Sequence, residues 1–196
     1  TGGLPLQIPD GIHNKSALLD YYQQWQPSWT PGTKRVYSNA SLGLLGVLTA
    51  NAAQMDFQQA MKTRVIEPLK LSNTWFHVPK SHEKHYAWGY FNNQPRRVSP
   101  GMLDDESYGL KSSIEDMTKW VQINLDSNVV KSRKIRKGID LSQLGYYYSE
   151  NKIYQGLGWE MYDYPVNEEL VIRNSNNDVA LMAKEIQAVK PEHMDG

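Results

Sequence analysis

The residues of this sequence that are best suited to chemistry are a tyrosine and an asparagine two positions apart, in Tyr37-Ser38-Asn39. A phenol close to a cation can release its proton and act as a general base. A carboxamide beside it can hold a carbonyl group or an ammonium group. The same residue types also serve packing, because asparagine is a common helix N-cap and tyrosine is commonly half-buried. The triplet supplies neither a cation nor a nucleophile, so both interpretations stay open at this point.

Two Ser-x-x-Lys pairs have the spacing of a serine nucleophile with a lysine one helical turn away: Ser81 with Lys84, and Ser149 with Lys152. In such a pair the lysine amine takes the proton of the serine hydroxyl. That role requires a buried apolar helix start, where loss of water makes the amine easier to deprotonate. Ser81 precedes a predicted hairpin and Ser149 lies in a polar, tyrosine-rich stretch, so we predict neither as the nucleophile.

Other classes of site have weaker support. His82 and His85 are spaced like a ligand pair, but no further ligand follows at the spacing of a zinc site, and the chain has no cysteine. We therefore predict no metal and no cofactor. Lysines and arginines balance acidic residues at 21 each, and we interpret the basic run at 131–137 as a solvated segment, which argues against a nucleic-acid partner. No apolar run reaches the ~18 residues of a membrane span, and no signal peptide is visible.

The helices that must position the triplet follow from the hydrophobic pattern. Residues 40–54 are apolar on almost every face, which predicts a helix in the middle of a core that begins directly behind Asn39. We predict further helices over residues 14–25, with Asn14 or Ser16 as the N-cap, and over residues 55–69, ended by Pro68. Ser112 and Glu115 have capping-box spacing and predict another helix start.

Short strands are predicted for the remaining parts of the chain. Asn92-Asn93 predicts the turn of a hairpin. Residues 140–147 are interpreted as one more short helix, and residues 154–165 and 169–183 as strands separated by turns. The predicted fold class is α+β, a mostly helical domain with short antiparallel strands.

The sequence around the triplet resembles a known family. It reads PGTKRVYSNASLGLLG and resembles the Tyr-x-Asn region of class C β-lactamases, periplasmic serine enzymes that hydrolyse cephalosporins. Further segments resemble the same family in the same order: TGGLPLQIPD, VIEPLKLSNTWFHVP, YAWGYFNNQPRRVSPGMLDDESYGLKSSIEDMTKWV and YQGLGWEMYDYPV. The resemblance covers nearly the whole chain and implies part of the β-lactamase/transpeptidase-like fold. It is more specific than Tyr-x-Asn alone, which related penicillin-binding carboxypeptidases and esterases share.

The resemblance also identifies two motifs that this sequence lacks at matching positions. The family carries a Ser-x-x-Lys upstream of Tyr-x-Asn and a Lys-Thr-Gly downstream, and Lys62-Thr63-Arg64 is wrongly placed for the latter. We therefore expect residues 1–196 to be the central portion of such a domain. Residues 1 to about 150 would be mainly helical, and about 151–196 would form short strands and a loop that returns toward the α/β region.

Site residues are carried over from the resemblance position by position. Tyr37 matches the tyrosine proposed as general base in acylation and in activating the deacylating water. Asn39 matches an asparagine that contacts the substrate's side-chain amide and the catalytic lysine. Three more substrate-binding positions match: Gln7 at the cleft rim, Tyr108 on the omega loop beside the acyl side chain, and Asn176 near the far side of the substrate.

The resemblance implies hydrolysis of β-lactam antibiotics through a serine acyl-enzyme in the periplasm, by a protein that is a monomer when complete. The expected partner is a small β-lactam, with no nucleic acid and no membrane. Without the nucleophile, the piece alone is expected to be inactive. Two alternatives stay open: a D-Ala-D-Ala carboxypeptidase or esterase of the same superfamily, and a non-catalytic binding or structural module in which Tyr37 only packs.

Overall fold

The computed structural model of the chain describes residues 2–193, and the side chains of all of these except residues 180, 192 and 193. Its eight α-helices are α1 Lys15–Gln24, α2 Asn39–Ala53, α3 Phe57–Met61, α4 Asp104–Ser107, α5 Ile114–Leu125, α6 Arg133–Ser142, α7 Glu168–Asn174 and α8 Asn177–Leu181. A π-helix, Lys62–Ile66, continues α3, and two short 3-10 helices cover Lys80–His85 and Ser127–Val129. None of the helices in the described part of the chain is both long and apolar enough to cross a bilayer.

Five short strands form an antiparallel sheet in the order β1-β7-β4-β5-β6. These strands are β1 Lys34–Arg35, β4 Leu144–Ser149, β5 Tyr154–Gln155, β6 Glu160–Met161 and β7 Lys184–His193. A separate hairpin joins β2 Gly89–Phe91 to β3 Gln94–Arg96, with Asn92 and Asn93 both at positive φ in the turn. The α+β class and the Asn-Asn hairpin are therefore confirmed.

Helix α2 begins where the sequence predicted, but it does not lie in the middle of a core. Its buried residues are Ala40, Gly43 and Gly46, whereas Leu45 and Leu48 are more than half exposed. The helix buries its small-residue face because α4 packs closely on it. A Cβ at Gly46 would lie 2.5 Å from the Cβ of Glu106, so only glycine allows this approach.

Three other expectations from the sequence are wrong in detail. Residues 169–183 are expected as strands, but most of them lie in α7 and α8, because Asn167 and Asn176 cap the two helix starts. Residues 144–147, expected within a helix, belong to β4. The N-cap of α5 is Ser113 and not Ser112, whose hydroxyl bonds to Thr74 instead.

The main apolar core lies between the π-helix, the segment that follows it, and α5 and α6. Its buried members are Ile66, Leu69, Leu71, Ile123, Val130 and Ile139. Next to it, the fully buried carboxylate of Asp116 accepts hydrogen bonds from the Asn73 amide at 2.7 Å and from the Thr74 hydroxyl at 2.8 Å. Its other oxygen lies 3.4 Å from the Lys119 ammonium. This carboxylate therefore ties α5 to the loop that precedes Trp75.

Replacing Asp116 by alanine is expected to lower the free energy of unfolding by about 2–4 kcal/mol, because it leaves buried donors without an acceptor. The matched control is Glu115→Ala, which removes the exposed partner of the same lysine and is expected to cost under ~0.5 kcal/mol. Urea unfolding followed by circular dichroism measures both changes. Equal losses in the two variants would contradict the structural role given to Asp116.

Candidate active site

The start of α2 is fixed by Ser38, which is only 2% exposed. Its hydroxyl oxygen accepts a hydrogen bond from the Ser41 amide at 3.1 Å, as an N-cap does. The same hydroxyl donates to the Pro5 carbonyl at 2.7 Å. One residue further on, the backbone N–H of Asn39 donates to the Leu6 carbonyl at 2.8 Å. The N-terminal segment is thereby fastened across the triplet, and Gln7, which is exposed, follows directly.

The two side chains on either side of Ser38 face different surroundings. Tyr37 is 40% exposed, so its ring is not enclosed by packing. Asn39 is half-buried, and its carboxamide oxygen is fully buried with no hydrogen-bond partner among the described residues. A buried acceptor without a donor costs free energy. The carboxamide oxygen of Asn39 is therefore an acceptor that the described residues leave without a hydrogen bond.

Tyr22, a second tyrosine near α2, serves as a structural contrast to Tyr37. Its hydroxyl donates to the Ala40 carbonyl in the first turn of α2 at 2.7 Å, which joins α1 to α2. Burial, with the neighbouring Tyr21 adding to it, raises the pKa of Tyr22 to about 12. This phenol stays protonated as a donor, and it is unsuited to act as a base near neutral pH.

Arg35, which the sequence analysis did not single out, lies beside Tyr37. The carbon of its guanidinium is 5.9 Å from the centre of the Tyr37 ring, within the range of a cation–π contact. The sequence held a signal for it, because side chains two positions apart in an extended segment share a face. The cation that the triplet alone lacks is therefore present in the fold.

The other two predicted substrate-binding residues occupy separate places. Tyr108 is 39% exposed and follows the last residue of α4, the helix seated on Gly43 and Gly46 of α2. Asn176 is exposed, and its side-chain oxygen accepts from the Asp178 amide at 2.8 Å as the N-cap of α8. The fold thus links Tyr108 to the triplet through α2, whereas no described contact joins Asn176 to the triplet.

Neither Ser-x-x-Lys pair has the geometry of a nucleophile with its base. The Ser81 hydroxyl lies 2.9 Å from the neighbouring His82 ring in an exposed 3-10 helix. Ser149 is buried in β4 and accepts from the Ile153 amide, while Lys152 is exposed. Among the described residues, no hydrogen bond joins either serine hydroxyl to its lysine, and no group of three or more metal-ligating side chains occurs.

Comparison with known proteins places this arrangement in a family. The family model Beta-lactamase matches residues 1–178. A "Beta-lactamase" of Escherichia coli (strain K12) is 50% identical over 190 residues, a match that covers 97% of this chain and 50% of the relative. The chain belongs to the beta-lactamase family. A "Beta-lactamase" of Yersinia enterocolitica is 45% identical over 192 residues, covering 97% of this chain and 49% of the relative.

A solved structure shares the fold of this beta-lactamase chain. It is the crystal structure of a "Beta-Lactamase/D-Alanine Carboxypeptidase" from Pseudomonas syringae, with a TM-score of 0.93 and 33% identity. The match covers 99% of this chain and 54% of that one. The chain therefore spans about half the length of the relatives that it matches.

Helix α4, which positions Tyr108, contains a carboxyl group whose charge is unfavourable. Burial against α2, with the nearby Asp105, Asp104 and Asp56 adding to it, raises the pKa of Glu106 above its ordinary value of 4.5. Above the raised pKa the buried carboxylate is charged, so its burial destabilises the fold there. As the pH falls through the raised folded-state pKa toward 4.5, the folded form takes up the proton first and this penalty disappears.

Glu106→Gln is therefore expected to raise the melting temperature at pH 7, with a gain that shrinks to nothing below pH 4.5. Thermal unfolding of both proteins over a pH series measures the difference. Glu150→Gln, at an exposed position outside α4, is the control and is expected to change little. A gain for Glu106→Gln that is the same at every pH would contradict the assignment.

Proposed function

We propose that this chain carries the Tyr-x-Asn half of a class C serine β-lactamase, which hydrolyses cephalosporins through an acyl-enzyme. The observation that carries the proposal is the pairing of an exposed phenol with a buried amide oxygen for which the described part of the chain offers no hydrogen-bond donor. Both are fixed at the start of α2 by the same serine, Ser38. Family membership and the fold shared with a solved β-lactamase/carboxypeptidase support it.

The mechanism assigns the proton transfers to Tyr37. Its deprotonated phenol oxygen takes the proton of an attacking serine hydroxyl that the rest of the enzyme supplies, and the serine oxygen bonds to the β-lactam carbonyl carbon. The lactam C–N bond then breaks, and the phenol gives the proton to the leaving nitrogen. In the second stage the phenol oxygen takes a proton from the water that attacks the acyl-enzyme ester, and returns it to the serine oxygen as the ester bond breaks. The Arg35 guanidinium lies beside the ring, with its carbon 5.9 Å from the ring centre.

The binding roles follow from the positions of the remaining side chains. Asn39 offers its buried carboxamide oxygen to an N–H of the substrate side chain or to the ammonium of the catalytic lysine. Gln7 lies at the rim through the Leu6–Asn39 hydrogen bond, and Tyr108 flanks the acyl side chain from α4. Asn176 is the outlying member, at the far side of the substrate.

The surface beside Tyr37 is open rather than enclosed. Two cavities of about 620 and 690 Å³ lie elsewhere, one against residues 71–77 and the other between the π-helix, α5 and α6. The other half of the enzyme therefore supplies the opposite wall of the substrate cleft. It also supplies the serine, its lysine and the Lys-Thr-Gly strand. We also assign a periplasmic location and a monomeric state to the complete enzyme, and no activity to this chain alone.

A D-Ala-D-Ala carboxypeptidase is a second candidate function, because the structural neighbour from Pseudomonas syringae is named a "Beta-Lactamase/D-Alanine Carboxypeptidase". The two functions differ in the fate of the acyl-enzyme, which a β-lactamase hydrolyses quickly and a carboxypeptidase retains when the acyl group comes from a β-lactam. A purely structural module is disfavoured, because Tyr37 is 40% exposed and Asn39 leaves an acceptor unused.

The test uses two proteins: the 196-residue chain, and a hybrid in which it replaces the matching segment of the E. coli relative. The chain alone is expected to show no nitrocefin turnover, and the hybrid to hydrolyse it. Tyr37→Phe in the hybrid is expected to lower kcat/KM by roughly 10²–10⁴-fold, the usual contribution of a general base. Tyr90→Phe, at a tyrosine that is 73% exposed on the β2–β3 hairpin, is the matched control.

Two outcomes would contradict the proposal. Serine-dependent turnover by the chain alone would mean that Ser81 or Ser149 is a nucleophile after all. An equal, small effect of Tyr37→Phe and Tyr90→Phe would remove Tyr37 from the mechanism. A burst of one equivalent followed by persistent acylation of the hybrid would favour the carboxypeptidase.

A further inference from the structure

The guanidinium of Arg35 is held by two acceptors from one hairpin. Its Nη2 lies 2.6 Å from a carboxylate oxygen of Glu160, and its Nε donates to the side-chain oxygen of Gln155 at 2.9 Å. Gln155 and Glu160 stand directly opposite each other in the β5–β6 pair. The two acceptors together form the Arg35 clamp, and they bind two different nitrogens of the planar guanidinium, which fixes its orientation.

The clamp is itself held in place. The Gln155 side-chain nitrogen donates to the Gly156 carbonyl at 3.0 Å and to the Trp159 carbonyl at 2.8 Å. Its oxygen is therefore directed toward Arg35. The side chains of Arg35 and Glu160 are only 19% and 34% exposed, so water screens their attraction less than at an open surface.

The clamp joins opposite edges of the sheet. Arg35 belongs to β1 and Glu160 to β6, which are the first and last strands in the order β1-β7-β4-β5-β6. An ion pair at 2.6 Å between them requires the sheet to curl. The β5–β6 hairpin thereby sets the position of Arg35, which lies beside the Tyr37 ring.

The charges around the clamp are costly for stability alone. Arg35 stands opposite Lys184 in the β1–β7 pair, and Lys184 is 3% exposed with no hydrogen-bond partner for its amine among the described residues. Burial lowers the pKa of Lys184, Glu160 opposes this effect, and Arg35 adds to it. Two like charges opposite each other destabilise a strand pair. The pairing of Arg35 with Lys184 therefore carries an electrostatic cost.

We propose that Arg35 is a positioning residue for Tyr37: the β5–β6 hairpin fixes the guanidinium, and the guanidinium fixes the phenol ring and places a positive charge beside it. The inference rests on the proposed function, in which Tyr37 is the base. It assigns Glu160 and Gln155 to the same unit, although neither touches the phenol in any described contact. Lys34, the neighbour of Arg35 on β1, pairs with Glu185 instead and lies outside this unit.

The first arm of the test uses the chain labelled with 3-fluorotyrosine and observed by ¹⁹F NMR, where Tyr37→Phe assigns the Tyr37 signal. Arg35→Gln and Glu160→Gln are both expected to move that signal, since the first removes the guanidinium and the second removes the ion pair that holds it. Lys34→Gln, which breaks the neighbouring ion pair with Glu185 and the contact with the Trp29 ring, is expected to leave it in place. A Tyr37 signal that stays put in Arg35→Gln, while the other tyrosine signals show an intact fold, would overturn the proposal.

The second arm measures kcat/KM for nitrocefin in the hybrid enzyme. Arg35→Gln is expected to lower it about tenfold when Tyr37 is present, and Arg35→Lys, which keeps the charge, to restore part of the loss. In the Tyr37→Phe background, Arg35→Gln is expected to have no further effect, because Arg35 acts through the phenol. Losses that multiply independently in the double variant would overturn the proposal.

The two arms separate the inference from the proposed function. A Tyr37→Phe hybrid that is as active as its parent would overturn the role of Tyr37 as base, whatever the fluorine signals do. If Arg35→Gln leaves the Tyr37 fluorine signal unchanged while Tyr37→Phe lowers the kcat/KM of the hybrid, the positioning role alone would be overturned. For a poorly folding Arg35→Gln variant, Glu160→Gln answers the same question, because it removes the ion pair and keeps the guanidinium.

Discussion

The hydroxyl of Ser38 makes two hydrogen bonds at once, and the geometry of the whole site depends on them. As acceptor it caps α2 through the Ser41 amide, and as donor it holds the Pro5 carbonyl. An N-cap of this kind contributes roughly 1 kcal/mol of stability, but its larger effect is on position. With Ser38 turned inward, Tyr37 remains exposed, and the backbone N–H of Asn39 is directed to the Leu6 carbonyl.

Two further constraints act on the same helix from other directions. The glycines at positions 43 and 46 let α4 approach the backbone of α2, and Tyr108 follows that helix. Glycine in a helix interior costs about 1 kcal/mol relative to alanine, so the close approach of α4 lowers the intrinsic stability of helix α2. From the sheet side, Arg35 lies against the Tyr37 ring at 5.9 Å. The triplet is thus held by the N-terminal segment at Pro5 and Leu6, by α4 and by the sheet.

The sequence predicted the parts of this arrangement that depend on local interactions. The helix behind Asn39 and the Asn-Asn turn both follow from capping and backbone conformation, and both are confirmed. The polar residues that cap α7 and α8 were interpreted as turns between strands, because short apolar runs do not distinguish a strand from a helix. The exposure of Leu45 and the Ser112–Thr74 bond depend on tertiary partners far along the chain.

The site was predicted mainly through family resemblance, and the roles of its residues remain predictions. Arg35 went unnoticed because its importance comes from Gln155 and Glu160, more than a hundred positions away. The unpartnered oxygen of Asn39 likewise cannot be deduced from spacing, because an asparagine at a helix start usually satisfies its own side chain by capping. Here Ser38 takes the capping role, and the carboxamide is left for another partner.

The role of Ser38 is tested most directly by a crystal structure of the hybrid enzyme acylated by a cephalosporin. We expect the Tyr37 hydroxyl and the Asn39 carboxamide oxygen each to lie within hydrogen-bond distance of the acylated centre or its lysine. The bond from Ser38 to the Pro5 carbonyl should be retained. An acyl group bound away from both side chains, or an Asn39 carboxamide turned to bond only with backbone, would contradict the claim that Ser38 presents these two residues to a β-lactam.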